Sequence, residues 1–251
     1  MQPWTVHREK LGPLQCAIVD GGAAPELPVI LGHGYGAPGD DLLGLAEAYL
    51  SMLGPAAGRF RFVFPAAPLQ PDELSAFGGR AWWPLNIAAL LAASQSGTFE
   101  ELHDKVPPGI DQASGQLVEC LEAVFRGFPG GHRDRPYVLG GFSQGAMLSL
   151  NVALSGPLPP PLLLLVYSGT LVCKPRWQSQ LQSGGLAQTD VVQSHGRLDT
   201  VLPMSSAEVL GKMIEGHCRS YHFVPFDGPH TIPVEAVSAT VTRLSTLAGG
   251  S

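Results

Sequence analysis

The sequence predicts an α/β fold in which helices cover both faces of a mostly parallel central sheet. Six short apolar runs each end in small or turn-forming residues, which is typical of strands buried on both faces. Stretches with apolar residues at helical spacing separate several of these runs. Alternation of strand and helix favours right-handed βαβ crossovers, so we expect one domain over residues 1–251.

The strands are indicated by their apolar letters and by the residues that stop them. PVIL precedes GHGYG, RFVF precedes PAAP, and PYVLGG leads into a serine. PLLLLVY is followed by Ser-Gly, TDVVQ by SHGRLD, and RSYHFV by PFDGPH. The predicted strands are residues 28–31, 61–64, 136–141, 161–167, 189–193 and 219–224.

The helices are indicated by apolar residues that recur on one side of a 3.6-residue period. In the second of them, Leu117, Leu121, Val124 and Phe125 stand at i, i+4, i+7 and i+8. The predicted helices are residues 40–53, 111–125, 146–154, 205–214 and 234–247. Residues 69–108 show no clear period, and a stretch of that length is usually a lid or a binding loop.

Composition excludes several classes of protein. The formal net charge is −6 and no basic run is present, which argues against binding of nucleic acid. The longest apolar run, residues 162–167, is too short for stable insertion into a membrane. The start has no apolar signal region, so we expect a cytoplasmic protein. The four cysteines form no C-x-x-C pair, and we expect free thiols.

The segment GFSQG, with Ser143 at its centre, matches the pattern G-x-S-x-G. The pattern alone is weak, but here it lies between a buried strand and an amphipathic helix, as a nucleophile elbow requires. The turn lifts the serine hydroxyl clear of the backbone, and the helix N-terminus favours a developing negative charge. The bland alternative is an ordinary strand-to-helix turn with a serine N-cap.

A nucleophilic serine needs a base and an acid that orients the base. In this arrangement the acid and then the histidine follow the serine along the chain. Asp199 follows one strand and His230 follows the last strand, both at the expected edge of the sheet. Asp227, three residues before His230, is the competing acid.

The remaining histidines have simpler interpretations. His195 precedes the acid loop and would hold a turn, whereas His217 and His222 are expected to be packing or surface residues.

The backbone amides of Tyr35 and Gln144 are the expected oxyanion donors. The glycine-rich loop before Tyr35 lacks a phosphate-binding pattern, and no cluster of carboxylates or H-E-x-x-H segment indicates a metal.

The segments LGHGYG, FVFPAAP, RAWWPLN, GGFSQGAML, SHGRLDTVLP and GPHTI together resemble the phospholipase/carboxylesterase family of α/β-hydrolases, which includes acyl-protein thioesterases. The resemblance spans about residues 28–235. It implies an α/β-hydrolase fold, a serine esterase without a cofactor, the triad Ser143, Asp199 and His230, and oxyanion donors at Tyr35 and Gln144.

The sequence departs from similar sequences at two places near this set. Pro229 stands before the histidine where the family often has glycine, and Asn86 stands where aspartate is common. We expect the second change to affect the choice of substrate. The predicted walls of an acyl pocket are Phe77, Trp82, Trp83, Leu85 and Leu90, and ordinary packing under a long loop is the alternative for them.

The expected function is hydrolysis of a small-molecule acyl ester through an acyl-enzyme. A thioesterase acting on acylated proteins or CoA-type thioesters would use the same residues. A non-catalytic binding protein on the same fold is an alternative of another class. A homodimer through an apolar patch near residues 69–108 is compatible with the low charge of the chain.

Overall fold

The central sheet holds the molecule together, and a computed structural model describes it within residues 4–249. The strands of this part of the chain are β1 (Val6–Leu11), β2 (Leu14–Asp20), β3 (Leu27–Gly32), β4 (Phe60–Pro65), β5 (Val138–Phe142), β6 (Leu163–Tyr167), β7 (Leu186–Gly196) and β8 (Cys218–Phe226). They form one sheet in the order β1-β2-β4-β3-β5-β6-β7-β8. The first two pairings, β1 with β2 and β2 with β4, are antiparallel, and the others are parallel.

Helices pack against both faces of this sheet. The helices of the described residues are α1 (Leu43–Leu53), α2 (Asp72–Ser75), α3 (Ile87–Ser96), α4 (Ile110–Arg126), α5 (Gln144–Ser155), α6 (Lys174–Gln182), α7 (Met204–Glu215) and α8 (Val234–Gly249), with 3₁₀ turns at Gly54–Arg59 and Phe99–Leu102. Of these, α2 and α3 have no buried residue. Side chains of α4 to α7 share one core with the sheet, and those of α1 and α8 share the other.

Successive side chains of the apolar strands point alternately into the two cores. Because both faces are buried, these strands appear in the sequence as continuous apolar runs. On β3, Ile30 belongs to the core under α4 and α5, while Val29 and Leu31 belong to the core under α1 and α8. The six predicted strands are confirmed as β3 to β8, and the five predicted helices are confirmed as α1, α4, α5, α7 and α8.

Three parts of the chain differ from the sequence prediction. The antiparallel hairpin of β1 and β2 is additional, as is α6. Residues 69–108 are partly helical, because they contain α2, α3 and the turn Phe99–Leu102. Asn86 gives α3 its start, since its side chain accepts a 2.9 Å hydrogen bond from the amide of Ala89.

The four cysteines are free thiols, as predicted. Cys16 on β2 and Cys120 on α4 bring their sulfur atoms to 3.6 Å, and both are buried. Among residues 4–249, no helix combines the length and the apolar character needed to cross a membrane.

Candidate active site

The turn between β5 and α5 holds Ser143 in a strained conformation. Its φ is 55° and its ψ is −116°, a region that costs a non-glycine residue about 1–3 kcal/mol. Hydrogen bonds on both sides of Ser143 maintain this strained conformation. Its amide donates to the Tyr167 carbonyl at 2.8 Å, and its carbonyl accepts from the Ala146 amide at 3.0 Å. The hydroxyl is therefore presented at the carboxyl edge of the sheet.

The two flanking glycines allow the start of α5 to lie directly on β3. A Cβ at Gly145 would stand 2.2 Å from the carbonyl oxygen of Gly32, and a Cβ at Gly141 would stand 2.4 Å from the same oxygen. Real side chains do not approach a backbone that closely. The G-x-S-x-G pattern thus reflects contact between backbones on both sides of the serine.

Adjacent parallel strands bring Asp199 and His230 together. Gly196 and Phe226 are partners at the ends of β7 and β8, so the two following loops begin at the same level of the sheet. The Leu198 amide then donates to the Gly228 carbonyl at 3.0 Å and joins the loops. The result is a 2.6 Å hydrogen bond between His230 Nδ1 and Asp199 Oδ2.

The Asp199 carboxylate is fixed through both oxygens. Its Oδ1 accepts hydrogen bonds from the amides of Val201 at 2.9 Å and Leu202 at 2.8 Å, which leaves Oδ2 for His230. Burial opposes ionisation, but the hydrogen bond and charge of His230 and the Leu202 amide outweigh it and lower the pKa of Asp199. A carboxylate at this place makes His230 carry its proton on Nδ1, which leaves Nε2 as an acceptor.

His195 lies on the other side of the same carboxylate. Its Nε2 is 2.8 Å from the Leu202 carbonyl oxygen and 3.3 Å from Asp199 Oδ2, and the ring is buried. Burial lowers the pKa of His195, which favours the neutral ring. This histidine holds the turn after β7, in agreement with its sequence interpretation.

The competing side chains point elsewhere. Asp227 is 86% exposed and pairs with Arg197 at 3.0 Å, so it does not contact His230. His222 is exposed on β8, and His217 contacts the carbonyl of Met213 at the end of α7.

The two amides expected to bind an oxyanion have no partner within the described residues. No acceptor among residues 4–249 takes the backbone N–H of Tyr35 or of Gln144. The side chain of Gln144, by contrast, is fully engaged: Oε1 accepts from the Trp82 amide and Nε2 donates to the Trp83 carbonyl, each at 2.8 Å. Gln144 therefore ties the start of α5 to the segment 69–108, a link that the sequence analysis missed.

A cavity of about 750 Å³ contains Ser143 and His230 in its wall. This size is typical of small-molecule sites. More than half of the lining comes from residues 69–108, and most of it is apolar. Trp83, Leu85 and Leu90, three of the five residues predicted to form an acyl pocket, line this cavity.

Two predicted pocket residues lie elsewhere, and the prediction is corrected for them. Phe77 is 86% exposed and is not part of the cavity wall, because it follows the short helix α2 on the outer surface. Trp82 is buried in the core, where its indole N–H donates to the His33 carbonyl at 2.9 Å. In the described part of the chain, no group of three or more His, Cys, Asp or Glu side chains is arranged to hold a metal ion.

The chain is similar to two proteins of the same name from different organisms. The chain is 34% identical to acyl-protein thioesterase 1 of Eremothecium gossypii over 183 residues, which cover 72% of this chain and 69% of that protein. It is 27% identical to acyl-protein thioesterase 1 of Kluyveromyces lactis over 238 residues, 93% of this chain and 97% of that one.

Solved structures give the same fold. Esterase PE8 superposes with a TM-score of 0.70 at 24% identity and covers 97% of this chain and 98% of its own. Acyl-protein thioesterase 2 of Zea mays superposes with a TM-score of 0.62 at 18% identity, covering 93% and 98%. These likenesses show an α/β-hydrolase fold.

The family model for phospholipases and carboxylesterases matches residues 14–248, which include strands β2 to β8, the elbow and the acid and histidine loops. The chain is therefore an ester hydrolase of the α/β-hydrolase fold and belongs to the phospholipase/carboxylesterase family.

Proposed function

We propose that the protein hydrolyses carboxylic acyl esters through a covalent acyl-enzyme formed on Ser143. One observation carries this proposal: a strained serine and a histidine share one apolar cavity, and a buried carboxylate holds that histidine at 2.6 Å. This is the arrangement of nucleophile, base and orienting acid that serine hydrolases use.

In the first half of the reaction, Nε2 of His230 takes the proton of the Ser143 hydroxyl as the oxygen attacks the substrate carbonyl. Asp199 stabilises the imidazolium that forms. The amides of Tyr35 and Gln144 stabilise the negative charge on the former carbonyl oxygen. His230 then gives its proton to the leaving alcohol, and the acyl group remains on Ser143 as an ester.

In the second half, a water molecule attacks this ester while His230 again removes a proton. Collapse of the second tetrahedral intermediate returns the proton to Ser143 and releases the carboxylic acid. The apolar part of the cavity, formed by side chains such as Trp83 and Leu90, would hold the acyl chain.

Thioester hydrolysis is the second candidate. It is supported by the two relatives named acyl-protein thioesterase 1. The same residues would serve, with a thiol as the leaving group. Parallel rates on an acyl ester and on the thioester of the same acyl chain, carried on a small thiol or on a peptide cysteine, would decide between them.

The test is a series of p-nitrophenyl esters from acetate to palmitate, measured for the natural protein and for Ser143→Ala. We expect kcat to fall on the order of 10⁶-fold in Ser143→Ala. Ser155→Ala is the matched control, because Ser155 is an exposed serine at the other end of the same helix. An unchanged rate in Ser143→Ala would refute the proposal.

A fluorophosphonate probe addresses the non-catalytic alternative. The probe labels an activated serine, so the natural protein and Ser155→Ala should label while Ser143→Ala should not. If the natural protein neither hydrolyses any ester nor labels, a binding role on this fold is favoured.

A further inference from the structure

His33 lies at the start of the loop that carries Tyr35, and both of its ring nitrogens are engaged. Nδ1 is 2.7 Å from the carbonyl oxygen of Gly34, and Nε2 is 2.9 Å from the backbone nitrogen of Ala67. The ring is buried. The catalytic steps proposed above do not use this side chain.

The partners of His33 determine where its proton lies. A backbone N–H only donates, so Nε2 must accept from Ala67. A carbonyl oxygen only accepts, so Nδ1 must carry the proton and donate to Gly34. Burial lowers the pKa of His33 to about 4, against a smaller opposing effect of the Gly34 carbonyl, which keeps the ring neutral near pH 7.

The carbonyl that His33 holds belongs to the same peptide group as the Tyr35 amide. In a trans peptide the C=O and the N–H point in opposite directions within one plane, and no peptide bond among residues 4–249 is cis. Fixing the Gly34 oxygen therefore fixes the direction of the Tyr35 N–H. A hydrogen bond to the oxygen also polarises the peptide and strengthens the N–H as a donor.

Two backbone hydrogen bonds also act on this loop: the Ala37 amide donates to the Gly34 carbonyl at 3.4 Å, and the Gly36 amide donates to the Arg80 carbonyl at 2.8 Å. The contact of His33 Nδ1, at 2.7 Å, is the shorter of the two bonds to the Gly34 oxygen. Gly34 has no side chain, and Gly36 adopts a φ of 84°, so the chain on both sides of Tyr35 is intrinsically free to rotate. Gly34 also lies against the nucleophile, since a Cβ there would be 3.3 Å from the Cβ of Ser143. The Gly34–Tyr35 peptide is thus next to the reacting serine.

From these contacts we propose that His33 is a positioning residue of the oxyanion hole, which aims the Tyr35 N–H by holding the carbonyl of the same peptide. The inference rests on the proposed serine-hydrolase function. It differs from a general role in loop stability, because it assigns the catalytic effect to one ring nitrogen and leaves the other to the fold.

Two substitutions separate the nitrogens. Asparagine at position 33 places an amide near the position of Nδ1, and it retains a donor for Gly34 while leaving the Ala67 amide unpaired. Glutamine places an amide near Nε2, and it retains an acceptor for Ala67. The Gly34 carbonyl then loses its 2.7 Å side-chain donor and keeps only the Ala37 amide at 3.4 Å. His33→Gln should therefore affect catalysis, and His33→Asn should affect stability.

For His33→Gln we expect kcat to fall by about 10²-fold, the lower end of what loss of an oxyanion donor costs, with KM unchanged. The affinity for an alkyl trifluoromethyl ketone, whose serine adduct carries an oxyanion, should fall by a similar factor. His33→Asn should keep most of kcat and melt at a lower temperature. The inference is wrong if both variants lose kcat in proportion to their loss of melting temperature, or if ketone affinity is unchanged while kcat falls.

A measurement on the natural protein covers the case in which neither variant folds. Long-range ¹H–¹⁵N NMR of the histidine rings reports which nitrogen carries the proton. A proton on Nε2 of His33 would overturn the inference. Failure of the proposed function is recognised separately, because then the natural protein and Ser143→Ala would have equal rates whatever residue 33 is.

Discussion

Replacing Asp199 by asparagine tests the acid assignment through the tautomer of His230. The asparagine side chain has one oxygen and one NH₂ group in place of the two carboxylate oxygens. The amides of Val201 and Leu202, which now donate to Oδ1 at 2.9 and 2.8 Å, require the oxygen on their side. The NH₂ group must then face Nδ1 of His230.

This orientation reverses the role of the imidazole. Facing an NH₂ donor, Nδ1 has to accept, so the ring proton moves to Nε2. A protonated Nε2 cannot take the proton of Ser143. The corresponding substitution in a well-studied serine protease lowers kcat about 10⁴-fold by the same change of tautomer, which equals about 5 kcal/mol of transition-state stabilisation. We expect a loss of that order for Asp199→Asn.

The assay is kcat for the best p-nitrophenyl ester near pH 7, with thermal unfolding measured in parallel. Asp227→Asn is the matched control, because Asp227 is the competing acid and lies three residues from His230 but is exposed. It should retain the natural rate. The reasoning is refuted if Asp199→Asn stays within about tenfold of the natural protein, or if Asp227→Asn loses as much.

The remaining predictions concern the pocket, the elbow and the stability of the protein at acidic pH. Trp83→Ala should shift the preferred acyl length, whereas Phe77→Ala should not, as an ester series will show. Gly145→Ala should destabilise by about 1–3 kcal/mol despite better helix propensity, because the new Cβ meets backbone at 2.2 Å. Gly115→Ala, with open space on α4, should stabilise by up to about 1 kcal/mol; urea unfolding compares the two. Between pH 6.5 and about 4, His33 binds a proton in the unfolded chain but stays neutral in the folded chain. The free energy of unfolding should therefore decrease by about 3 kcal/mol as the pH is lowered through this range. Urea unfolding at pH 7 and pH 4.5 should show a smaller loss in His33→Asn, and an equal loss would contradict this assignment.

The sequence was sufficient to predict those parts of the fold in which buried side chains produce a recognisable pattern of apolar residues. The strands β3 to β8 are apolar runs because most of them face a core on both sides. The order of Ser143, Asp199 and His230 could be predicted because each follows a strand whose carboxyl end reaches the same edge.

Other features left no such pattern. In β1 none of the side chains is buried, so the strand is held by its pairing with β2 and has no apolar period. The helix α3 is apolar but has no buried residue, so its apolar letters do not distinguish a helix from a loop. Phe77 was misplaced because an aromatic residue in a long connection carries no information about which way the chain turns after α2.

The side-chain bonds of Gln144 connect two properties that enzyme engineering usually treats separately. The backbone amide of Gln144 is one of the two that we propose to bind the oxyanion. Its side chain holds the backbone of Trp82 and Trp83, and Trp83 lines the cavity that contains Ser143. Altered acyl selectivity should therefore evolve through exchanges of wall side chains that leave this backbone in place. Insertions or deletions near residues 82 and 83 would pull on Gln144 itself, so a change in loop length there alters turnover together with selectivity.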